Sequence, residues 1–346
     1  VQSGFYALTD YDFKKPRTGL LVKSSVVRPH QHAGYEWFHY PGEYKEVGDG
    51  EQLARTRIEE LQAQYEYCDG KGNARGLAIG TLFTLDGHPR QSLKREYLVV
   101  SAAYRLHLDE YLPSLQPSET EKIFECSFRV MDKTVPFRPP RITPRPTVRG
   151  PQTAVVVGPL GEEIYVDKYA RVKVQFHWDR YGNKDENSSC WVRVSQPWAG
   201  KNWGMIAHPR IGQEVIVDFL EGDPDQPIIT GRVYNNNQMP PYDLPANATQ
   251  TGIKSRSSKG GGTANFNEVR FEDKIGQEQL YIHAEKNQDN IVEHDETTHV
   301  GRNRSETVGG NETITVHGFK AETVIMALAE SVGLAKVETI GLGKGH

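Results

Sequence analysis

The chain has 346 residues, with 41 basic against 45 acidic side chains, a formal charge of −4, 33 glycines and 20 prolines. That length allows two or three domains, and the near balance of charge excludes a global drive toward nucleic acid or an anionic membrane. No run reaches the roughly 18 apolar residues that span a bilayer, and no basic start with an apolar core marks a signal peptide, so any export is expected to use machinery that needs no such signal. Cys68, Cys126 and Cys190 are far apart, odd in number and without CxxC spacing, which predicts reduced, buried thiols and folding in a cytoplasm. Val1 is not an initiator Met, and the end stops just after an eight-residue unit begins, so the chain reads as the middle of a longer one.

Residues 1–145 read as an α+β unit. Asp49 to Cys68 predicts a helix, with Asp49 as N-cap, Gln52 completing a capping box, and Ala54, Ile58, Leu61 and Tyr65 as one apolar stripe; Gly70 and Gly72 are expected to end it. Gly76 to Leu85, Tyr97 to His107 and Phe124 to Val130 alternate and predict strands. Phe137 to Pro146 is proline-rich, which predicts a stiff, extended domain boundary.

Residues 146–235 predict five short strands, at Thr153 to Val157, Ala170 to Trp178, Cys190 to Ser195, Glu214 to Phe219 and Pro227 to Tyr234. In the second of these, Val172, Val174, Phe176 and Trp178 alternate with Arg171, Lys173, Gln175 and His177, the pattern of a strand with one buried face. Five such strands fit a small closed barrel, and an OB-fold is the natural candidate. Residues 236–264 are rich in Asn, Pro, Gly and Ser and predict a linker. Beyond them, 265–346 opens with alternation through Val269, Phe271, Leu280 and Ile282.

From Val292 onward the chain repeats every eight residues. Val292, Val300, Val308, Val316, Val324, Val332 and Ile340 share one phase, and Gly301, Gly309, Gly333 and Gly341 occupy the next position. The position before each of the last six phase residues is His299, Thr307, Thr315, Thr323, Ser331 and Thr339. This is a β-pattern closed by a turn: the seven β-branched residues are the expected packing positions and the phase glycines the expected turns. Eight residues with a turn extend at most about 25 Å, enough for about one side of a closed prism. Burying the β-branched row without an open strand edge therefore requires three chains wound together, each giving one side per layer. The expected object is an intertwined homotrimeric β-helix, stiff and slow to unfold.

Several segments carry a resemblance. Gly150-Pro151-Gln152-Thr153-Ala154-Val155-Val156, Arg171 to Arg180 (Arg-Val-Lys-Val-Gln-Phe-His-Trp-Asp-Arg), Trp191-Val192-Arg193-Val194, Ile211-Gly212-Gln213-Glu214-Val215-Ile216-Val217 and Pro227 to Asn235 are similar to the core of the VgrG family, as are Pro136-Phe137-Arg138-Pro139 and Glu268 to Asp273. VgrG proteins form the spike of the type VI secretion system and are similar to a contractile phage tail hub fused to its needle. The resemblance implies a mainly β chain: a trimeric hub, of which 1–145 would be the C-terminal part, an OB-fold collar, and a triple-stranded β-helix needle. It further implies self-association as a homotrimer, the secretion tube protein as partner at the hub end, and a tip cap protein and effectors at the needle end. The target membrane would be pierced mechanically. Such a protein would be made in a bacterial cytoplasm, secreted without a signal peptide by the type VI system, and end outside the cell or in a target cell.

No catalytic constellation, cofactor site or metal site is expected. His294-Asp295-Glu296-Thr297-Thr298-His299 differs from the zinc-protease motif because its histidines are five apart inside a β-repeat rather than four apart on a helix. His30-Gln31-His32 offers a ligand pair without a third ligand at metal spacing, so a polar loop is the expected role. Asp223-Pro224-Asp225 lacks the glycine and terminal Glu of a calcium loop and reads as a hairpin turn. Gly70-Lys71-Gly72-Asn73 lacks the phosphate-loop order. In the barrel, Arg171, Lys173, His177 and Arg180 with Phe176 and Trp178 supply some ingredients of a nucleic-acid groove, but Asp167, Asp179, Asp185 and Glu186 lie beside them, so no nucleic-acid partner is expected. A phage-like baseplate spike and a carbohydrate-active β-helix are the alternatives. The second needs paired carboxylates, whereas Glu306, Glu322, Glu330 and Glu338 share one phase and predict a solvated ladder.

Overall fold

The computed structural model describes residues 2–106, 124–339 and 341. They form two compact units, Val1–Val233 and Tyr234–His346. In the first, β1 (Phe5–Leu8) is the centre of a three-stranded sheet, antiparallel to β2 (Val22–Ser25) and parallel to β3 (Glu36–His39). The helix α1 (Val47–Ala63) packs on this sheet, and Tyr6, Leu8, Leu20, Val22, Tyr44, Ala54 and Ile58 are buried together. The Tyr44 hydroxyl donates to the Leu8 carbonyl at 3.0 Å, so this buried polar group is satisfied inside the cluster.

The helix starts and stops earlier than its sequence pattern suggests. Its N-cap is Glu46, with no side-chain capping bond, and Asp49 lies in the first turn, where a carboxylate still favours the positive helix end. It ends at Ala63 because Tyr65 leaves the stripe to stack on His30 at 5.5 Å beneath the Arg28 guanidinium. Gly70 and Gly72 do not terminate a helix but lie in β4 (Cys68–Gly72). A Cβ at Gly70 would come within 2.5 Å of the Phe128 ring on the facing strand, so glycine is what lets that ring lie flat.

With β5 (Leu82–Thr84), β6 (Glu96–Leu106) and β7 (Phe124–Asp132), β4 makes an antiparallel sheet of order β4-β7-β6-β5 around Tyr97, Val99 and Val130. The strand expected over Gly76 to Leu85 shrinks to three residues. Gly80 takes a φ of 84°, and Thr81 folds back to donate its hydroxyl to the Ala78 carbonyl at 2.6 Å, closing a turn. His107, the expected end of the next strand, lies outside the described residues.

The proline-rich stretch runs without regular pairing and is pinned by its arginines. Arg138 bonds Glu59 at 2.8 Å, the Arg141 amide donates to Glu60 at 2.8 Å, and Arg145 bridges Glu43 and, at 3.2 Å, Asp223. Burial pushes the Glu59 carboxyl up, but the hydrogen bonds from Arg138 and Arg55 outweigh it and hold the group below its ordinary value.

Beyond the strap, β8 (Gln152–Val157), β9 (Lys173–Phe176), β10 (Arg193–Val194), β13 (Glu214–Phe219) and β14 (Pro227–Val233) form one sheet of order β10-β14-β13-β8-β9, while β11 (Trp198–Ala199) and β12 (Gly204–Met205) form a separate hairpin. An antiparallel bridge between Val172 and Val192, with amide bonds of 3.0 and 2.8 Å, joins the two edges and closes the barrel. Its core is Ala154, Val156, Val172, Val174, Val192, Val215, Val217, Phe219 and Ile229. Phe13, outside the barrel, lies between the Arg171 and Arg193 guanidinium groups at 5.4 and 4.7 Å, with Tyr169 edge-on at 5.4 Å.

The barrel corrects two expectations, and the three thiols correct a further one. Pairing stops at Phe176, so Trp178 is exposed rather than buried; it stacks on Phe176 at 5.1 Å and donates to Gln152 Oε1 at 2.9 Å. Gln175, on the expected polar face, is buried. It donates to the Asp179 and Gly182 carbonyls and accepts from the Lys184 amide, organising the following loop. Of the thiols only Cys126 is buried; Cys68 is half-buried and Cys190 is exposed, because it precedes the paired segment that begins at Val192.

The second unit contains β15 (Gln250–Lys254), β16 (Glu268–Glu272) and β17 (Gln279–His283) as an antiparallel sheet in that order. The first of these lies inside 236–264, the stretch expected as a linker. Ile253 is its one large apolar residue, so no alternation marks it, and its register comes from pairing with β16.

Candidate assembly surface

After β17 the chain continues without helix or strand. From Lys286 to Val337, all of them described, no main-chain hydrogen bond is formed within the chain. It nevertheless keeps a strict geometry, bending at 293–294, 301–302, 309–310, 317–318, 325–326 and 333–334, and again at 341. Each bend directly follows a phase residue. Val292, Val300, Val308, Val316, Val324 and Val332 are all 46–50 % exposed, whereas Ile325 and Met326 reach 95 and 96 %. The phase valines therefore share one repeated degree of exposure, set apart from other apolar side chains of residues 286–337. Ile340 lies outside the described residues.

The phase glycines Gly301, Gly309, Gly333 and Gly341 fall on the bends, but none has a left-handed φ, and a Cβ on any of them would meet nothing within 4 Å of this chain. Glu293, His317 and Ile325 make the same bend. The turn is therefore a property of the repeat and not of glycine's conformational freedom.

The β15–β17 sheet adds a second incomplete surface. Ile253, Val269 and Ile282 stand in register across the three strands, with Phe271 opposite Leu280 beside them, and all five are exposed. The opposite face carries the charged pair of the unit: Glu268 is buried with Arg270 at 3.8 Å, and Arg270 lies over the Tyr281 ring at 4.8 Å, while Glu268 Oε1 and Arg270 Nε have no hydrogen-bond partner among the described residues. Tyr242 closes this face. Its hydroxyl would meet a Cβ on Gly252 at 2.4 Å, and burial, followed by the neighbouring Glu268, pushes its phenol up to about 12. One face is thus buried and polar while the other is apolar and open, the reverse of a sheet made for solvent on its outside.

The remaining sequence candidates are dispersed. His294 pairs with adjacent Asp295, at 2.8 Å; His32 lies tilted against the Tyr35 ring at 4.8 Å in a loop, remote in sequence from it. Among the described residues, no three His, Cys, Asp or Glu side chains are placed to hold a metal. The Asp223 carboxylate accepts from the Asp225 amide at 2.9 Å in the turn joining β13 to β14. In the barrel, Arg171 is paired with Asp167 at 2.7 Å and Lys173 donates to the Ser189 carbonyl. The octad acids are exposed, Glu306 beside Arg304 at 3.0 Å and Glu330 beside Lys336. No helix among the described residues is long and apolar enough to cross a membrane. Sequence reasoning missed the β11–β12 hairpin, whose two-residue strands are too short to show a period; the signal available was Trp198 and Trp203 in a nearly uncharged run.

Comparison with known proteins matches three stretches of the chain. Residues 251–346 match the bacteriophage T4 gp5 C-terminal trimerisation domain, 161–234 the type VI secretion system/phage-baseplate injector OB domain, and 1–110 the phage tail baseplate hub. The type VI secretion system spike protein VgrG1b of Pseudomonas aeruginosa is 60 % identical over 307 residues, 89 % of this chain. The chain belongs to the VgrG family of type VI secretion spike proteins. It spans 41 % of the length of that VgrG relative. A VgrG from Vibrio cholerae, named actin cross-linking toxin VgrG1, is 41 % identical over 87 % of this chain and 27 % of its own length. A solved structure, that of the E. coli c3393 protein, described as a component of the type VI secretion system, aligns over 55 % of this chain and 44 % of its own with 21 % identity and a TM-score of 0.38.

Proposed function

We propose that this chain acts as part of a homotrimeric, cell-puncturing spike of a type VI secretion system. Three copies wind their octads into a triangular rod; the hub end seats on the secretion tube, and the needle end carries a tip cap and effectors through a target membrane. The observation that carries this reading is the rod itself. An extended segment without helix, sheet or core of its own has no internal means of holding the same bend every eight residues. Supplied by two neighbouring chains, the missing backbone partners turn each bend into a prism corner and the phase valines into its lining. The match of 251–346 to a trimerisation domain supports the number of chains.

Delivery is supported by what the relatives share. The same stretch of this chain matches proteins named as spikes and one named as a toxin, of which it covers the smaller part. The shared region is accordingly read as the carrier and not as the source of the toxin's chemistry. On this reading the work is mechanical, and the domains divide as hub 1–145, collar 146–235, joining stretch 236–264 and needle 265–346. Light scattering on the purified chain tests it: a mass three times 39.0 kDa that survives detergent without boiling is the expected result, and a stable monomer would overturn it.

A further inference from the structure

The hairpin β11–β12 stands clear of its own barrel. All of Pro197 to Ile206 is exposed, including Trp198 at 63 %, Trp203 at 59 %, Met205 and Ile206. Its shape is nonetheless fixed. Trp203 meets Trp198 edge-on, with ring centroids 5.0 Å apart and planes at 82°. Gly200 makes room for that ring, since a Cβ there would come within 2.2 Å of it. Gly204 has a φ of 138°, and a Cβ on it would meet the Trp198 carbonyl at 2.4 Å. The base is anchored as well: Gln196 accepts from the Ala207 amide at 3.0 Å, and Arg232 donates to the Ala207 carbonyl at 2.5 Å.

An uncovered two-stranded hairpin is marginal in water, and two rigid tryptophans in an apolar setting are the usual makings of a binding hot spot. Lys201 is the one charged residue between Ser195 and Ala207, in a chain that is 25 % charged. That rules against an electrostatically recruited partner. The reach of the chain identifies the occupant. Residues 234–249 separate the end of β14 from the start of β15 and span at most about 55 Å when fully extended. Once the following segment has trimerised, each of the three barrels is confined within that tether of the shared segment, and any two barrels within about twice it of one another. A short tether raises the effective concentration to roughly the millimolar range, so even a weak apolar contact between barrels is filled.

We infer that the Trp198–Trp203 hairpin docks on the neighbouring copy's barrel and locks the three barrels into a closed collar. The inference rests on the homotrimer proposed above. It makes the collar a second assembly interface, of heterologous type: each barrel gives its hairpin to the next and receives one, and three-fold rotation closes the ring.

The test is photo-crosslinking of the full chain carrying Lys201→p-benzoylphenylalanine, with mass measured before irradiation and the products boiled in detergent. Two- and three-chain products from a trimeric sample are expected. In the W198A/W203A background the mass should stay trimeric while cross-linking falls roughly tenfold, the loss of one hot-spot contact. A trimeric mass that yields only single chains overturns the collar contact and leaves the spike standing. A monomeric mass overturns both. Cross-linking into neutral phosphatidylcholine vesicles in place of protein would give the hairpin to a lipid surface and also overturn the proposal.

Discussion

The barrel and the rod are built from the same kind of residue, β-branched side chains at regular spacing, yet they solve opposite problems. The barrel closes on itself: Val172 and Val192 complete a ring of backbone bonds, and Val174, Val215 and Val217 are buried inside one chain. In the rod the valines are equally regular but half exposed, and the backbone has no partner within the chain from Lys286 to Val337. What separates the two is where the backbone is paired. Barrel strands of two to seven residues fold back on one another, whereas the octads bend every eight residues without pairing on each other. On the proposed trimer, a stability measurement on this protein is two measurements, one intramolecular and one dependent on concentration.

The sharpest way to break the contrast is to put charge into each region. Val308→Asp with Val316→Asp should abolish assembly, because each substitution enters the rod lining three times at a cost of several kcal/mol per chain; light scattering should show 39.0 kDa with the barrel still folded. A trimer surviving that pair would sink the lining role of the phase valines. Val217→Asp should act the other way, unfolding the barrel by about 4 kcal/mol at every protein concentration, as read by chemical denaturation. If its effect fades on concentrating the sample, the barrel is not self-sufficient.

The strap offers a smaller, pH-dependent effect. Arg138→Ala should cost about 1 kcal/mol, since the ion pair with Glu59 is half open to solvent on the arginine side. The Glu59 carboxyl is held below its ordinary value of 4.5, so its stabilising effect is complete above that pH and is lost as pH falls through the lower folded value. Thermal melts between about pH 5 and pH 3 should therefore show a steeper loss in the native chain than in Arg138→Ala. Equal slopes would mean that the strap contact is not what shifts the carboxyl. The smallest effect is expected from Gly309→Ala. With no left-handed φ to lose, it should shift the trimer by less than about 0.5 kcal/mol. A collapse would show that a neighbouring chain, not the bend, requires glycine there.

How much of this was legible in the sequence depended on where each residue finds its partner. The barrel strands could be read because a buried valine row alternates against polar residues, and Glu214–Phe219 falls on its expected limits. The same rule overshot at Trp178, since alternation in sequence continued two residues past the end of pairing. It missed β15, which carries a single large apolar residue, and gave no sign of β1 to β3, four-residue strands of which the third pairs in parallel with a strand thirty residues away. The helix lost its last turn to a ring stack between Tyr65 and His30, a contact invisible to helical periodicity. The octad segment was the most legible element as a pattern, yet the chain holds no backbone partner for it between Lys286 and Val337.

The regular bends also bear on how such a rod can change over generations. Every octad repeats the one before it, so gaining or losing eight residues leaves each later valine on its phase and each later bend in its place. An indel of any other size throws all subsequent positions out of step, and in the proposed trimer it does so in three chains at once. Variation in length is thus filtered to whole octads, and the reach of the rod becomes a quantity inherited in discrete steps.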